Sequence, residues 1–306
     1  MKKLKIAYFG TPYFSANFLE GLLTNTSMNQ FIEVKFIATQ PDKPIGRKQL
    51  ITPSPVKAVA KNYQLLIHDN LKFKIHNSKF NSEFLNLNSE LKKLDLVLLY
   101  AYGEIIPADW LTLPKYGFWC IHPSLLPKYR GSSPMAYPLM NGDKTTGVTI
   151  YKMDEKIDHG PIIAQEKYEI LPTDKRPDLE NKLTNLGFEM FKKIILTDLN
   201  QLQPTAQADQ FATYTHLLTK QNGFISFENL KLKIKNSTEQ LFNQFRGLYP
   251  WPGMWTIVRI GNQEKRLKIT DLSLQPTTYN LVINTVQLEG KKEVNFKTFN
   301  QAYKIF

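Results

Sequence analysis

The segment from Leu94 to Tyr100, L-D-L-V-L-L-Y, is apolar at every position except Asp95, and it limits the possible folds more than any other stretch. A strand with no polar face has to be covered on both sides, which is the situation of a central strand in a sheet flanked by helices. The surrounding pattern agrees with this. Leu4 to Gly10 is a second short apolar run that ends in Gly10-Thr11-Pro12, and Phe18, Leu19, Leu22 and Leu23 then recur at helical spacing within Ser15 to Leu23. Phe31 to Ala38 supplies the next strand and closes a first β-α-β unit, and Gln40-Pro41-Asp42-Lys43-Pro44 breaks the pattern immediately after it. Phe118 to His122 reads as a further strand, Gly147 to Met153 alternates like a strand nearer an edge, and Pro177 to Leu199 is again helical. Strands alternating with helices predict an α/β domain on an open, mostly parallel sheet.

At 306 residues the chain is long enough for two domains. The stretch Asn200 to Ala212, rich in Gln, Pro, Ala and Asp and without periodicity, reads as a linker. The expected division is therefore a catalytic domain over 1–199, a linker over 200–212 and a smaller domain over 213–306. β-like runs in the last part, at Gly223 to Phe227, Trp255 to Ile260, Arg266 to Thr270, Tyr279 to Val286 and Val294 to Lys297, with one helical stretch at Ser237 to Gly247, suit a small barrel of the OB type.

A hydrophobic fraction of 42% with 22% charged residues suits an ordinary globular protein. The formal net charge of +12 points to a polyanionic partner or substrate, with a Lys-rich and Asn-rich bias as the competing explanation. The single cysteine, Cys120, excludes an internal disulfide framework and a multi-cysteine zinc site, so no metal is expected and the cytoplasm is the expected location. The apolar run Ile6 to Phe9 stops at Gly10, too soon for a signal sequence or a membrane span. No G-x-G-x-x-G comes after the first strand, which weakens a dinucleotide reading.

Two polar clusters carry the candidate chemistry. Cys120 to Pro134 reads C-I-H-P-S-L-L-P-K-Y-R-G-S-S-P, and Met153 to Gly160 reads M-D-E-K-I-D-H-G. They offer a histidine, a proline-bounded loop and two aspartates, with His122 and Asp154 where a strand gives way to loop, the rim on which ligands bind in such sheets.

These segments, with T-Q-P-D-K-P-I-G-R at Thr39 to Arg47, P-S-P-V-K at Pro53 to Lys57, A-Y-G at Ala101 to Gly103, G-V-T-I at Gly147 to Ile150 and P-W-P at Pro250 to Pro252, resemble the methionyl-tRNA formyltransferase family. S-L-L-P alone is shared by the wider folate-dependent formyltransferases, and the Gln40 to Arg47 loop and the added C-terminal domain narrow the choice. The resemblance implies a Rossmann-like catalytic domain of formyltransferase type. It implies 10-formyltetrahydrofolate as co-substrate, initiator methionyl-tRNA as partner, no membrane association and a monomer. A formyltransferase for a small amine such as an amino-sugar nucleotide, and a tRNA- or folate-binding homologue with weakened catalysis, are the alternatives.

The resemblance assigns the proton shuttle to His122 and its carboxylate partner to Asp158. Asp154 reads as a turn residue or cap, and His159 as a solvent-facing loop residue. Ser124, Leu125, Leu126 and Pro127 are implied to contact the tetrahydrofolate, while Lys43, Arg47 and Lys48, with Lys57 nearby, are implied to grip the tRNA acceptor end. In the barrel segment, basic residues including Arg246, interspersed with Phe224, Phe227, Tyr249, Trp251 and Trp255, would form a tRNA-positioning surface. Cys120 is the departure, because the family places there an asparagine whose carboxamide donates to the formyl oxygen. A thiol is a weak donor. Three consequences are open: reduced activity, compensation by a backbone N–H or water, and binding without catalysis.

Overall fold

The computed structural model describes residues 3–46, 48–69, 71, 82–275 and 280–306. The chain forms two compact units, Met1–Arg130 with Gly147–Tyr168 and Asn181–Thr213, and Gly131–Thr146 with Glu169–Glu180 and Tyr214–Phe306. The stretch 200–212, expected as a linker, thus belongs to the first unit, and two short segments from the middle of the chain belong to the second.

In chain order the elements begin with β1 (Leu4–Gly10), α1 (Tyr13–Thr24), β2 (Ile32–Ala38), β3 (Lys43–Ile45), β4 (Leu50–Thr52), α2 (Pro55–Asn62), β5 (Leu66–His68) and α3 (Ser82–Leu91). They continue with β6 (Leu96–Tyr100), β7 (Phe118–His122), β8 (Arg130–Gly131), α4 (Ala136–Asn141), β9 (Thr145–Lys152), β10 (Ile162–Glu169) and α5 (Arg176–Ile195). Seven strands hydrogen-bond in the order β10-β9-β7-β6-β1-β2-β5. The pairs from β7 across to β5 are parallel, and β9 runs antiparallel to β7.

The apolar strands take the centre for the reason their sequence gives. Every residue of β6 and β7 is buried, whereas β10 alternates towards solvent. Period-two pleating sorts the side chains onto two faces. On one, Tyr8 and Tyr100 meet Phe18 of α1, and Phe18 meets Phe188 and Phe191 of α5. On the other, Phe9, Val97, Leu99, Phe118 and Cys120 pack with Leu87 and Leu91 of α3 and with Trp110.

Chain order reverses at β1, which has β2 on one side and β6 on the other. Ligands of such sheets bind beyond the carboxyl ends of the strands at that point. There the loops are tied together: Thr11 Oγ1 donates to the Tyr102 carbonyl at 2.7 Å, and Gln40 Nε2 donates to the Gly103 carbonyl at 3.1 Å. Lys43 to Ile45 of the Gln40 to Arg47 motif form β3, which pairs with β4 in an antiparallel hairpin that sequence periodicity did not reveal.

The remaining elements are β11 (Tyr214–Thr215), α6 (Phe227–Asn236), α7 (Thr238–Leu248), β12 (Met254–Ile260), β13 (Gln263–Leu274), β14 (Leu281–Leu288), β15 (Glu293–Asn295) and α8 (Phe296–Tyr303). The expected small strand-rich domain is a four-stranded antiparallel sheet, β12-β13-β14-β15. Its register aligns Met254 with Ile269 and Ile269 with Val286, giving an apolar face that packs on Leu230, Leu241, Phe245 and Phe299 of α6, α7 and α8. Two expected strands differ. Gly223 to Phe227 is instead the approach to α6, whose N-terminus is capped by the Ser226 hydroxyl accepting from Asn229 N at 3.2 Å. Val294 to Lys297 is split by the Asn295 side chain, which ends β15 and caps α8. Tyr279, the expected start of one strand, lies outside the described residues.

Candidate active site

His122 is the last residue of β7, and Cys120 lies two residues earlier, so the pleat puts both side chains on the same sheet face. The neighbouring β9 sets Tyr151 opposite Cys120 and Thr149 opposite His122. The loop after β9 then returns Asp158 to this face. Its Oδ2 lies 3.6 Å from Nδ1 of His122, and its Oδ1 accepts from the Tyr151 hydroxyl at 2.8 Å. On the far side of the ring, Nε2 lies 2.9 Å from the Tyr129 carbonyl. A carbonyl only accepts, so this hydrogen bond puts a proton on Nε2 and turns Nδ1 towards the carboxylate. Nδ1 and Oδ2 thereby face one another. The two side chains are 6% and 14% exposed, so little water screens that interaction.

Cys120 is 6% exposed and packs with Leu99, Leu126 and Tyr151. Burial first, and the Asp158 carboxylate second, push its thiol well above the usual range, while the Tyr151 hydroxyl acts the other way. Burial also pushes the Tyr151 phenol far up, so it stays a protonated donor. A thiolate nucleophile at neutral pH is excluded by these surroundings. Because Cys120 is the chain's single cysteine, a thiol titration tests this directly. The native protein at pH 7.5 is expected to release much less than one equivalent with a disulfide reagent over minutes, and one equivalent after denaturation. Rapid stoichiometric reaction of the native protein would contradict the burial.

The loop Ser124–Pro127 is built from its own hydrogen bonds. Ser124 Oγ donates to the Lys128 carbonyl at 2.7 Å, Thr149 Oγ1 donates to the Ser124 carbonyl at 2.7 Å, and Leu126 N donates to Thr149 Oγ1 at 3.1 Å. Gln165 Nε2 adds a bond to the Leu126 carbonyl at 2.9 Å. Ser124 and Leu126 are buried, and Leu125 and Pro127 are the partly exposed pair. The Leu126–Pro127 peptide is cis.

Asp158 adopts a left-handed backbone, φ 49°, a conformation aspartate tolerates better than most residues. Two residues on, Gly160 has a local reason to be glycine, since a Cβ there would run into the carbonyl oxygen of Lys152. Gly160→Ala is expected to destabilise the protein by about 1–3 kcal/mol through overpacking against a fixed backbone. Thermal unfolding of the variant reads this out, and an unchanged Tm would contradict it.

Other expected residues fall into three groups. Lys43 and Lys48 are exposed on the β3–β4 hairpin, and Lys43 Nζ reaches Gln40 Oε1 at 2.6 Å; Arg47 lies outside the described residues. Lys57 is withdrawn from the expected basic set, because its ammonium is committed to Asp42 and Asp69, the first at 2.5 Å. In the second unit Arg246 is likewise 5% exposed, donating to the carbonyls of Leu171 and Asp174 and to Asn243 Oδ1. Trp251 and Phe224, by contrast, are 53% and 38% exposed. Asp154 is the turn residue expected, accepting from Lys156 N at 3.0 Å. His159, expected to face solvent, is partly exposed, and both ring nitrogens meet carboxylates, Nδ1 at 2.5 Å from Asp154 and Nε2 at 3.2 Å from Asp209 of the 200–212 segment. Among the described residues, no group of three His, Cys, Asp or Glu is arranged to hold a metal ion, and no helix is long and apolar enough to cross a membrane.

Sequence reasoning missed Tyr151, Arg130 and Gln207. Tyr151 carried a usable signal, since β9 alternation puts it on the face of Thr149, opposite Cys120 and His122. Gln207 sits in a stretch without periodicity and carried none.

Comparison with known proteins identifies the family. The formyl transferase family model matches residues 4–195, and the formyl transferase C-terminal domain matches residues 218–281. A methionyl-tRNA formyltransferase of Caldicellulosiruptor saccharolyticus is 35% identical over 326 aligned positions, covering 99% of this chain and 98% of its own. One of Staphylococcus aureus is 35% identical over 276 positions, covering 89% and 80%. A 4-N formyltransferase from Francisella tularensis shares the fold, with a TM-score of 0.62 at 20% identity over 85% of this chain and 95% of its own. The sheet topology, the two matched domains and the full-length likeness agree: the chain belongs to the formyl transferase family, among the methionyl-tRNA formyltransferases.

Proposed function

We propose that this formyltransferase transfers the formyl group of 10-formyltetrahydrofolate to the amino group of methionine esterified to initiator tRNA. The observation that carries this reading is the 35% identity to a methionyl-tRNA formyltransferase across 99% of the chain, because it takes in the second unit as well as the first.

The chemistry needs a proton moved and an oxyanion held. The amine nitrogen attacks the formyl carbon, the carbonyl electron pair moves onto oxygen, and the tetrahedral intermediate collapses as the folate nitrogen leaves with a proton. The attacking nitrogen loses one proton and the leaving nitrogen gains one. His122 and Asp158, whose Nδ1 and Oδ2 face each other at 3.6 Å, take it from the first and return it to the second. The proton gained by the pair also cancels the carboxylate's negative charge beside the developing oxyanion. Cys120 contributes only a weak donor there.

The Ser124–Pro127 loop, already closed by its own hydrogen bonds, offers the flanks of Leu125 and Pro127 to the folate ring at little ordering cost. Lys43 and Lys48 on the hairpin, with Arg47 from the same sequence motif, grip acceptor-end phosphates. The protein works as a monomer in the cytoplasm.

Initial rates with 10-formyltetrahydrofolate and either charged initiator tRNA or an amino-sugar nucleotide test the assignment. Formylation of the tRNA, with no measurable transfer to the sugar, is expected. Transfer to the amino sugar without tRNA formylation would reject the assignment.

A further inference from the structure

Asp158 is held from two directions by groups that the proton-transfer chemistry does not itself use. On its side chain, the Tyr151 hydroxyl donates to Oδ1 at 2.8 Å, which leaves Oδ2 to face His122. Tyr151 is 2% exposed, and its place opposite Cys120 fixes where that hydroxyl sits. On its backbone, Gln207 Nε2 donates to the carbonyl of Asp158 at 3.0 Å and to that of Gly160 at 2.8 Å. These bonds close the turn in which Asp158 has φ 49°.

The carboxamide of Gln207 is itself oriented. Its Oε1 accepts from Arg130 Nε at 3.2 Å and from Nη2 at 2.8 Å, and Nη2 also reaches Asp209 Oδ1 at 2.8 Å. Arg130 is 2% exposed, and a guanidinium only donates, so the amide cannot reverse without setting its NH2 against the guanidinium.

We propose that Tyr151 and Gln207 are positioning residues for formyl transfer, acting from opposite sides to fix the Asp158 carboxylate against His122. The inference rests on the assignment of His122 and Asp158 as the proton-transferring pair. A carboxylate on a loop needs such support, because a misplacement of about 1 Å in a reacting group lowers a rate by about 100-fold. The same clamp gives the 200–212 segment a role in catalysis that its composition does not suggest.

The test uses Tyr151→Phe, which removes only the hydroxyl, and Gln207→Glu, which keeps the oxygen facing Arg130 and turns the donor to the two carbonyls into an acceptor. Each is made in the wild-type protein and in Asp158→Asn, and kcat, the KM for tRNA and folate, and Tm are measured. In the wild-type background kcat is expected to fall by about 10- to 100-fold with both KM values nearly unchanged. In Asp158→Asn the same changes are expected to lower kcat by less than about twofold, since residues acting through one group are not additive. If a variant fails to fold by circular dichroism, Gln207→Met, which removes the donor without adding charge, replaces Gln207→Glu, and Tyr151→Leu replaces Tyr151→Phe. Wild-type-like kcat in both single variants would overturn the proposal, as would an equal loss in both backgrounds. If Asp158→Asn is itself fully active, the underlying pair assignment fails instead, which is a distinguishable result.

Discussion

Asp158→Asn is expected to lower kcat for formylation of methionyl initiator tRNA by about 10²- to 10⁴-fold, the range for loss of a positioned proton-transfer group. The substitution nearly preserves shape, so Tyr151 keeps an acceptor and the turn keeps its hydrogen bonds to Gln207. What is lost is the charge 3.6 Å from Nδ1 of His122, and with it the carboxylate as a proton acceptor. His122→Ala is expected to cost a similar factor. The two losses are not expected to add, because the pair acts as one unit. KM for tRNA stays nearly constant, since the hairpin bearing Lys43 and Lys48 is untouched. Steady-state kinetics with saturating folate donor measures this, and a loss of less than about threefold in both variants would remove the pair from the mechanism.

Cys120→Asn is expected to raise kcat, by about 10-fold and at most about 10²-fold, because a preorganised oxyanion donor is worth about 10²- to 10³-fold elsewhere. The two side chains are close in volume, so the buried site between Leu99 and Leu126 can take the carboxamide. There it competes with Asp158 for the Tyr151 hydroxyl, which keeps the gain below the full value of a donor. Comparison of kcat between wild type and variant, at equal KM, checks the direction. An unchanged or lower rate would mean that a backbone N–H or water already fills the donor role. Wild-type protein that binds both substrates without turnover, and gains turnover on substitution, would instead identify a binding protein.

Much of the first unit was readable because its information is local. The uninterrupted apolar run ending at Tyr100 could only be a covered strand, and Phe118–His122 was read with the observed bounds. His122 and Asp158 were singled out through short motifs around them, and folding brings their side chains to 3.6 Å. The hairpin of β3 and β4 was hidden because its exposed residues Ile45, Leu50 and Ile51 give no buried face and so no periodicity. The helix α6 was hidden because Gly223 to Phe227, aromatic and β-branched, precedes a lysine-rich stretch that masks Leu230 and Ile234. Lys57 and Arg246 looked available in the sequence, where a basic residue is only a charge. Their carboxylate and carbonyl partners are far along the chain or around a turn, and only folding brings them together. Gln207 was illegible for the same reason: its partners, Arg130 on one side and Asp158 and Gly160 of a single turn on the other, lie far from it along the chain.

The most direct measurement is a crystal structure with an unreactive analogue of 10-formyltetrahydrofolate. The nitrogen bearing the formyl group is expected within about 3.5 Å of the His122 or Asp158 side chain, or one water away, with the ring against Leu125 and Pro127. An analogue bound elsewhere, or bound here with its formyl-bearing nitrogen turned away from both side chains, would refute the assignment of His122 and Asp158 to proton transfer.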